Sequence, residues 1–375
     1  MSMSQLFTGS NLLFASGYGM LWWRHFIRAR KSVRNINTVF PPKQESNHIS
    51  WQHLADQLAI IVPARNEEKN LSTLLKSLYP LKKIGTTIIV VDDQSTDRTH
   101  DIARELGFEV IKSSSKPEGW SGKNWACHQG AHHLNQIHFS GKYILFTDAD
   151  TSHHPEHYPK ALSWFSQHSA ALMTCRPYHR NPTAWEKALG PFYSMIQLIT
   201  DSKQTLPSKE RFFSIGQFLL FDKDYYWASE GHLKIKNVLA EDLALAKECF
   251  SRGQTFLVYP LTDLYSTRMY ATPQEFFSGW QRNFRLGMKY SSPKTWIETI
   301  LVVGATLGHW TWIHYALLTL FFVRDQRDNG RFSTIGAFLY PINMGLFIFI
   351  SLCARVSNSL KLGLRWKARR YSTDT

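Results

Sequence analysis

The feature that most constrains this chain is a series of short, continuous apolar runs, each followed by charged residues. Residues 58–63, 87–91 and 143–147 read LAIIVP, TIIVV and YILFT. Runs of this length without polar alternation are typical of strands that are buried on both faces of a sheet. They predict an α/β fold built on a doubly wound, mostly parallel sheet with flanking helices.

The segments between these runs have helical periodicity. Leucines recur at helical spacing within residues 66–78, and the pattern predicts a helix that begins at Asn66. A second helix is predicted up to residue 106, and a further short strand at 108–111. These lengths suit right-handed crossovers between parallel strands, so the carboxyl ends of the strands should share one edge of the sheet, where ligands bind.

Charged residues cluster at that predicted edge. The first run is followed by Arg65 and Glu67, the second by Asp92 and Asp93, and the third by Asp148 and Asp150. Any one of these acids could be a helix cap or a solvated loop residue. Their coincidence at three strand ends favours a binding site instead.

Four segments carry a resemblance to a known family: IVPARNEE (61–68), VVDDQSTD (90–97), FTDADT (146–151) and AEDLALA (240–246). The chain resembles glycosyltransferase family 2, whose GT-A-type domain uses nucleotide-activated sugars. Residues 117–130, 267–270 and 279–287 are similar to the bacterial membrane-bound branch associated with carotenoid and hopanoid pathways. The resemblance covers about residues 56–290 and the tail at 365–371. Residues 281–285 (QRNFR) depart from the Gln-x-x-Arg-Trp pattern of processive relatives, which argues against polymerisation.

The resemblance implies a site for a nucleotide diphosphate and a divalent cation, Mg²⁺ or Mn²⁺, because hard cations take carboxylate and phosphate oxygens. Asp150 is the predicted direct metal ligand, and Asp148 is predicted to reach the ribose or the metal. His153 and His154 are either a third ligand or plain loop residues. Lys123 is predicted to approach the phosphates or the sugar, the alternative being an ordinary exposed lysine.

The nucleotide base is predicted to lie near the first strand. Asp93 is expected to accept a hydrogen bond from a ring nitrogen of uracil or guanine. The other substrate-binding residues predicted on these two turns are Pro63, Ala64, Arg65, Glu67 and Asp92.

Direct displacement at the sugar requires a base on the acceptor side, and Asp242 is the predicted base. The adjacent Glu241 should help to raise the pKa of Asp242, since two neighbouring carboxylates repel each other when both are ionised. The alternative is that Glu241 and Asp242 only cap the helix that follows.

Further along the chain, arginines and aromatic residues alternate. Arg268, Gln281, Arg282 and Arg285 are predicted to clamp the departing diphosphate. The alternative for Arg282 and Arg285 is a basic interfacial helix without contact to the substrate.

Two apolar stretches, 297–323 and 332–354, each exceed the twenty or so residues that cross a bilayer. Residues 5–23 form a weaker candidate for an uncleaved anchor. The net charge of +14 is concentrated beside these stretches, at residues 24–34 and 355–370, which indicates anionic lipid rather than nucleic acid. Three spans would place the amino terminus outside and the enzyme domain in the cytoplasm.

The predicted domains are an anchor with a basic flank (1–34), a connector (35–57), a glycosyltransferase domain with interfacial helices (58–290), two transmembrane helices (297–354) and a basic cytoplasmic tail (355–375). A helical pattern at 185–199 fits either a helix along the membrane that guides a lipid acceptor or a buried packing face against the sheet. The four cysteines are widely separated and form no Cys-x-x-Cys pair, so neither a zinc site nor a disulfide framework is expected.

The sequence therefore predicts an inverting, metal-dependent glycosyltransferase of the cytoplasmic membrane. It would transfer one sugar from a nucleotide sugar, a UDP-hexose, to a lipid such as an isoprenoid or carotenoid. The alternatives are a polyprenyl-phosphate or polysaccharide sugar transferase, and a non-catalytic membrane scaffold. The oligomeric state and the identity of the lipid are open at this point.

Overall fold

A computed structural model describes residues 51–293, 297, 299–300, 303–304, 312–360, 363–366 and 369–371. The predicted anchor (1–34), residues 35–50 of the connector and part of the first predicted C-terminal span lie outside the described residues.

Within the described residues, seven strands form the main sheet. The strands along the chain are β1 (Leu58–Ala64), β2 (Thr87–Asp92), β3 (Glu109–Lys112), β4 (Tyr143–Phe146), β5 (Thr151–His153), β6 (Leu172–Cys175), β7 (Tyr178–His179), β8 (Leu219–Asp222), β9 (Phe256–Tyr259), β10 (Tyr265–Thr267), β11 (Leu364–Trp366) and β12 (Arg369–Tyr371). The main sheet has the order β3-β2-β1-β4-β8-β6-β9, a smaller one has the order β5-β10-β7, and β11 pairs with β12.

The main sheet is mixed. Strands β3, β2, β1 and β4 are mutually parallel and β6 is parallel to β9, as predicted for most of the sheet. Strand β8 runs antiparallel to both of its neighbours, β4 and β6, so the doubly wound parallel arrangement does not continue across the whole sheet. The predicted strands at 58–63, 87–91, 108–111 and 143–147 are confirmed to within one residue at each end.

Helices flank the sheets or extend from them. They are α1 (Trp51–Gln57), α2 (Leu71–Lys83), α3 (Thr99–Glu105), α4 (Gly122–Gln136), α5 (Tyr158–Gln167), α6 (Ala184–Lys187), α7 (Gly190–Thr200), α8 (Lys223–Ala228), α9 (Gly231–Lys234), α10 (Glu241–Ser251), α11 (Pro273–Met288), α12 (Trp312–Asp325), α13 (Thr334–Phe338) and α14 (Tyr340–Ser359).

The first crossover helix begins later than predicted. Asn66 has a φ of 53°, a left-handed conformation that does not occur inside a right-handed helix. Its side-chain oxygen instead accepts a hydrogen bond from the backbone N–H of Thr96, at 2.9 Å. Helix α2 therefore starts only at Leu71, and the residues between β1 and α2 stay in a loop at the edge of the sheet. Five leucines of α2 are fully buried, each contributing roughly 1.5–3 kcal/mol to stability.

The chain forms two compact units. Among the described residues, the sheet unit comprises 51–179, Ser214–Ala271, 363–366 and 369–371, and the helical unit comprises Arg180–Phe213 and the described part of 272–360. Two parts of the predicted 58–290 domain, 180–213 and 272–290, therefore belong to the helical unit.

Helix α7 is the centre of the helical unit. Its Phe192 is fully buried and contacts the rings of Phe276, Trp280 and Phe284 of α11 and Phe347 of α14, with centroids 5.0–6.3 Å apart. Phe192 is thus buried, as the packing alternative for residues 185–199 expected, but its partners are helices and not the sheet that this alternative named.

The C-terminal apolar stretches differ from two simple spans. Helix α12 covers most of the described residues of the first stretch. The second stretch divides at Leu339 into the five-residue α13 and the 20-residue α14. Among the described residues, α14 is the one helix long and apolar enough to cross a membrane. Core helices of soluble proteins can have the same length and composition, so two C-terminal spans are not established.

Candidate active site

The loops that follow β1 and β2 are hydrogen-bonded to each other at the edge of the main sheet. The backbone N–H groups of Asn66 and Glu67 donate to the hydroxyls of Ser95 and Thr99, at 3.0 and 2.7 Å. The backbone N–H of Glu68 donates to the carboxylate of the second loop's Asp97, at 3.2 Å. Because the two loops hold each other, the side chains that they carry occupy defined positions.

Arg65 and the two aspartates lie in these loops as predicted. The Arg65 guanidinium donates to the backbone oxygen of Asp93 at 3.2 Å and lies 3.6 Å from its carboxylate. Asp92 is buried and accepts a hydrogen bond from the N–H of Ser95, so part of its role is to hold the turn. Ala64 is buried at the end of β1, next to the half-exposed Pro63.

Lys123 lies in the first turn of α4, where Ser121 caps the helix by accepting a hydrogen bond from the N–H of Asn124. Its ammonium lies 2.5 Å from a carboxylate oxygen of Asp148 and 2.5 Å from one of Glu241. Burial alone would lower the pKa of Lys123, but these two carboxylates raise it well above its usual value. Lys123 is therefore a charged bridge between two predicted acidic positions, not an ordinary exposed lysine.

The loop after β4 carries Asp148 and Asp150. The hydroxyl of Thr151 donates to the backbone oxygen of Asp148, at 2.8 Å. The carboxylate of Asp150 accepts a hydrogen bond from the side-chain amide of Gln217 at 3.4 Å, and its backbone oxygen accepts one from Thr267 at 3.2 Å. Arg268 follows Thr267 directly, so its backbone lies next to the Asp150 loop, and its predicted contact with a diphosphate stays a prediction.

Glu241 and Asp242 form the first turn of α10. Asp242 accepts a hydrogen bond from the backbone N–H of Leu243, at 2.8 Å. Burial, supported by the neighbouring Glu241 carboxylate, raises the pKa of Asp242 to about 7, while Lys123 partly opposes this. A carboxylate with such a pKa can accept a proton near neutral pH.

The predicted acidic positions converge on the environment of one buried thiol. Burial raises the pKa of Cys127; the Lys123 ammonium counters the rise, and the carboxylates of Glu241, Asp148 and Asp93 add to it. Because interactions of this kind fall off with distance, these groups lie near one another. Asp93, Asp148 and Glu241, which come from three separate segments of the sequence, thus lie near one another at one edge of the sheet.

Two residues of this site were missed by the sequence analysis: Gly216 and Gln217, just before β8. A Cβ at Gly216 would overlap both the Glu241 carboxylate and the Lys123 ammonium. The backbone oxygen of Gln217 accepts a hydrogen bond from Thr147 at 2.8 Å. The local sequence carries no signal for this role of Gly216, because the groups that a Cβ would overlap come from distant segments.

The metal prediction is compatible with the acids present. Among the residues that the structure describes, no group of three or more His, Cys, Asp or Glu side chains could hold a metal. Asp148 and Asp150 supply hard carboxylate oxygens, which fit a cation that takes its other ligands from a diphosphate and water. His153 is buried, and both its ring nitrogens are within hydrogen-bond distance of hydroxyls of Thr147, Thr151 and Tyr158. Its side chain is therefore part of the hydrogen-bonded core, as expected for a residue that is not a metal ligand.

The remaining predicted residues lie on α11 of the helical unit. Gln281 donates to the hydroxyl of Ser357 at 2.9 Å and to the backbone oxygen of Cys353 at 3.4 Å, both on α14. Arg282 and Arg285 are half-exposed on the same helix, and burial lowers the pKa of Arg285. Contact of these three side chains with a diphosphate stays a prediction.

Known proteins resemble this chain in sequence and in fold. The family profile described as "Glycosyl transferase family 2" matches residues 59–229. The 4,4'-diaponeurosporenoate glycosyltransferase of Staphylococcus haemolyticus (strain JCSC1435) is 30% identical over 345 residues, covering 84% of this chain and 88% of that protein. The protein of the same name from Staphylococcus aureus (strain MRSA252) is 27% identical, covering 86% and 90%.

A solved structure shares the fold. The mannosyltransferase PcManGT from Pyrobaculum calidifontis, in complex with GDP-Man and Mn²⁺, aligns with a TM-score of 0.52 over 93% of this chain and 97% of that chain, at 13% identity. The fold is thus of the GT-A-like type, a mixed sheet with flanking helices. The chain belongs to glycosyltransferase family 2 and is a glycosyltransferase.

Proposed function

We propose that this protein transfers a single hexose from a nucleotide sugar, with UDP as the nucleotide, to a membrane lipid of the isoprenoid or carotenoid type, with inversion at the sugar. The observation that carries the proposal is the Lys123 bridge, which joins Asp148 on the donor side to Glu241, the neighbour of Asp242. One charged cluster thus connects Asp148, which suits a site for the diphosphate, with Glu241 and the adjacent Asp242, which suits the role of general base.

The donor occupies the edge formed by the loops after β1, β2 and β4. Asp93 accepts a hydrogen bond from the nucleotide base, and Lys123 and Arg268 face the negative charge of the diphosphate. Asp148 and Asp150 would hold Mg²⁺ or Mn²⁺, which supplies charge neutralisation to the diphosphate when bound. The PcManGT complex, which contains Mn²⁺ and a nucleotide sugar, is consistent with this proposal for the metal.

On the acceptor side, the bond between the sugar and the diphosphate breaks as the acceptor oxygen bonds to the same carbon. A hydroxyl acceptor passes its proton to Asp242, whose raised pKa suits that transfer. A carboxylate acceptor, as the name of the staphylococcal relatives suggests, arrives ionised and has no proton to give. Asp242 is then expected to matter much less.

The helical unit supports a lipid acceptor and a membrane location. Most of the large apolar side chains that are exposed on the described residues lie between 297 and 360, among them Trp312, Ile313, Ile342 and Leu352, which are 55–89% exposed. An apolar surface of this extent suits contact with lipid. The basic segments at 24–34 and 355–370 would add attraction to anionic lipid on the cytoplasmic side.

The test is transfer of hexose from UDP-glucose, with Mn²⁺, by purified protein in lipid vesicles. Three acceptors are compared: 4,4'-diaponeurosporenoate, a hydroxylated carotenoid and a polyprenyl phosphate, with the product measured by mass. A hexosylated carotenoid supports the proposal, and a glycosylated polyprenyl phosphate alone would replace it with the polyprenyl-phosphate alternative. No product, and no nucleotide release with any acceptor, would favour a non-catalytic scaffold. Asp242→Asn should lower the rate roughly 10²–10⁴-fold with the hydroxyl acceptor only.

A further inference from the structure

The loop in front of α10 determines where Glu241 and Asp242 lie. Residues 235–240 connect α9 to α10 and belong to neither a helix nor a strand. The residue at the N-cap position of α10 is Ala240, whose side chain has no polar atom to bond the first turn. Because a capping side chain normally helps to fix the start of a helix, the start of α10 depends on whatever holds this loop.

The side chain of Asn124, in the first turn of α4, holds this loop. Asn124 is fully buried, and its amide nitrogen donates to the backbone oxygen of Ile235 at 2.7 Å and to that of Val238 at 2.9 Å. The backbone oxygen of Lys236, between them, accepts a hydrogen bond from the backbone N–H of Ser121 at 2.6 Å. Three carbonyl groups of one loop are thus bound to the N-terminal end of α4.

A primary amide is suited to this position by its chemistry. Its nitrogen carries two hydrogens, one for each of the two nearer carbonyl oxygens. Leucine would fill a similar space but could donate to neither, and serine could donate to only one. Since a buried carbonyl that loses its donor is costly, we expect the loop to move when the amide is removed.

The same turn of α4 carries Lys123, the residue before Asn124. The Lys123 ammonium lies 2.5 Å from carboxylate oxygens of Asp148 and Glu241. Successive side chains of a helix point about 100° apart, so Lys123 reaches the acids while Asn124 reaches the loop. One turn of α4 therefore contacts both the Glu241 carboxylate and the backbone that leads to it.

We propose that Asn124 is a positioning residue for the acceptor side of the reaction. By holding residues 235–238 against α4, it keeps Glu241 within reach of Lys123 and fixes the place of Asp242. Its side chain is fully buried, so it acts through the loop and not on the substrate. The effect on the rate rests on the role of Asp242 proposed above, whereas the effect on the Lys123–Glu241 pair does not depend on sugar transfer.

The first test is the rate of the full-length Asn124→Leu protein in lipid vesicles, with UDP-glucose, Mn²⁺ and a hydroxylated carotenoid. A displaced base should lower kcat about 10–10²-fold. The KM for UDP-glucose should change less than about twofold, because Asp93 and Asp150 lie on other loops.

Leu134→Ala is the matched control for the rate. Leu134 is buried on the same helix, ten residues or about 15 Å beyond Asn124, so its truncation lowers stability without releasing the loop. Its kcat should stay close to that of the wild type. An unchanged kcat in Asn124→Leu, or an equal loss of kcat in Leu134→Ala, would overturn the proposal.

The second test needs no activity. Thermal unfolding of Lys123→Met, Glu241→Gln and the double variant gives the coupling between the two side chains, and the cycle is repeated in the Asn124→Leu background. The coupling should be largely lost there, because the released loop takes Glu241 away from Lys123. If Asn124 only fills space, the unfolding temperature falls while the coupling persists, and that result would refute the inference.

Asn124→Ser is the milder second variant, and it replaces Asn124→Leu in both tests if the latter does not fold. Because serine keeps one donor, it should shift kcat and the coupling in the same directions by smaller amounts. If the wild-type protein transfers no sugar, the unfolding cycle still decides the inference, so its failure and the failure of the proposed function are distinguishable.

Discussion

Replacing Lys123 by methionine would remove one positive charge while keeping an apolar side chain of similar length. The ammonium lies 2.5 Å from both Asp148 and Glu241, whose side chains are 29% and 9% exposed. The substitution therefore leaves the Glu241 carboxylate buried without this counter-ion. Asp148 is affected less, because water screens part of its charge.

The expected cost follows from the burial of the pair. Removing one partner of a buried ion pair costs about 3–5 kcal/mol, and the exposure of Asp148 places Lys123→Met near the lower end, about 3 kcal/mol. At roughly 2–4 °C per kcal/mol for a domain of this size, the unfolding temperature should fall by about 6–12 °C. The folded-state pKa of Lys123 is raised above its ordinary 10.5, so its stabilising effect is complete at neutral pH and is lost only as the pH rises above 10.5.

The assay is thermal unfolding of the metal-free protein at neutral pH. Lys69→Met, at an exposed position, is the matched control and should unfold like the wild type. Glu241→Gln and the double variant complete a cycle, and the double variant should lose less stability than the two single losses together. Additive losses, or an unfolding temperature of Lys123→Met within about 1 °C of the wild type, would refute the reasoning.

Four further predictions concern the same site. Asp242→Asn should be more stable than the wild type above about pH 7, because a raised carboxyl pKa makes native stability fall as the pH rises from 3.8 to about 7, measured by unfolding across pH. With a hydroxyl acceptor, the wild-type rate should rise through the same range, and a pH-independent rate would remove the base assignment. Gly216→Ala should push Lys123 from Glu241 and lower kcat/KM about tenfold or more, whereas the control Gly287→Ala, which meets no atom within 4 Å, should be near neutral. Chelation with EDTA should abolish transfer, and Mn²⁺ or Mg²⁺ should restore it; full activity in EDTA would contradict metal dependence.

The strands and the order of the acidic segments could be predicted from the sequence. Apolar runs such as LAIIVP indicate local burial, and their short length and β-branched residues favour strands buried on both faces of a sheet. Asp93, Asp148 and Asp150 could be placed at one edge because parallel strands end together. The start of α2 could not be placed, because the conformation of Asn66 depends on a hydrogen bond to Thr96, thirty residues away.

Only the tertiary structure decided how the charges are paired. Lys123, Asp148 and Glu241 are separated by 25 and 93 residues along the chain, and they meet because α4 and α10 both begin beside the loop after β4. Gly216 could be recognised only once its neighbours were known, since nothing in the local sequence indicates an absent Cβ. Periodicity along a chain reflects which residues are buried, whereas the pairing of ions depends on distances between segments that packing alone sets.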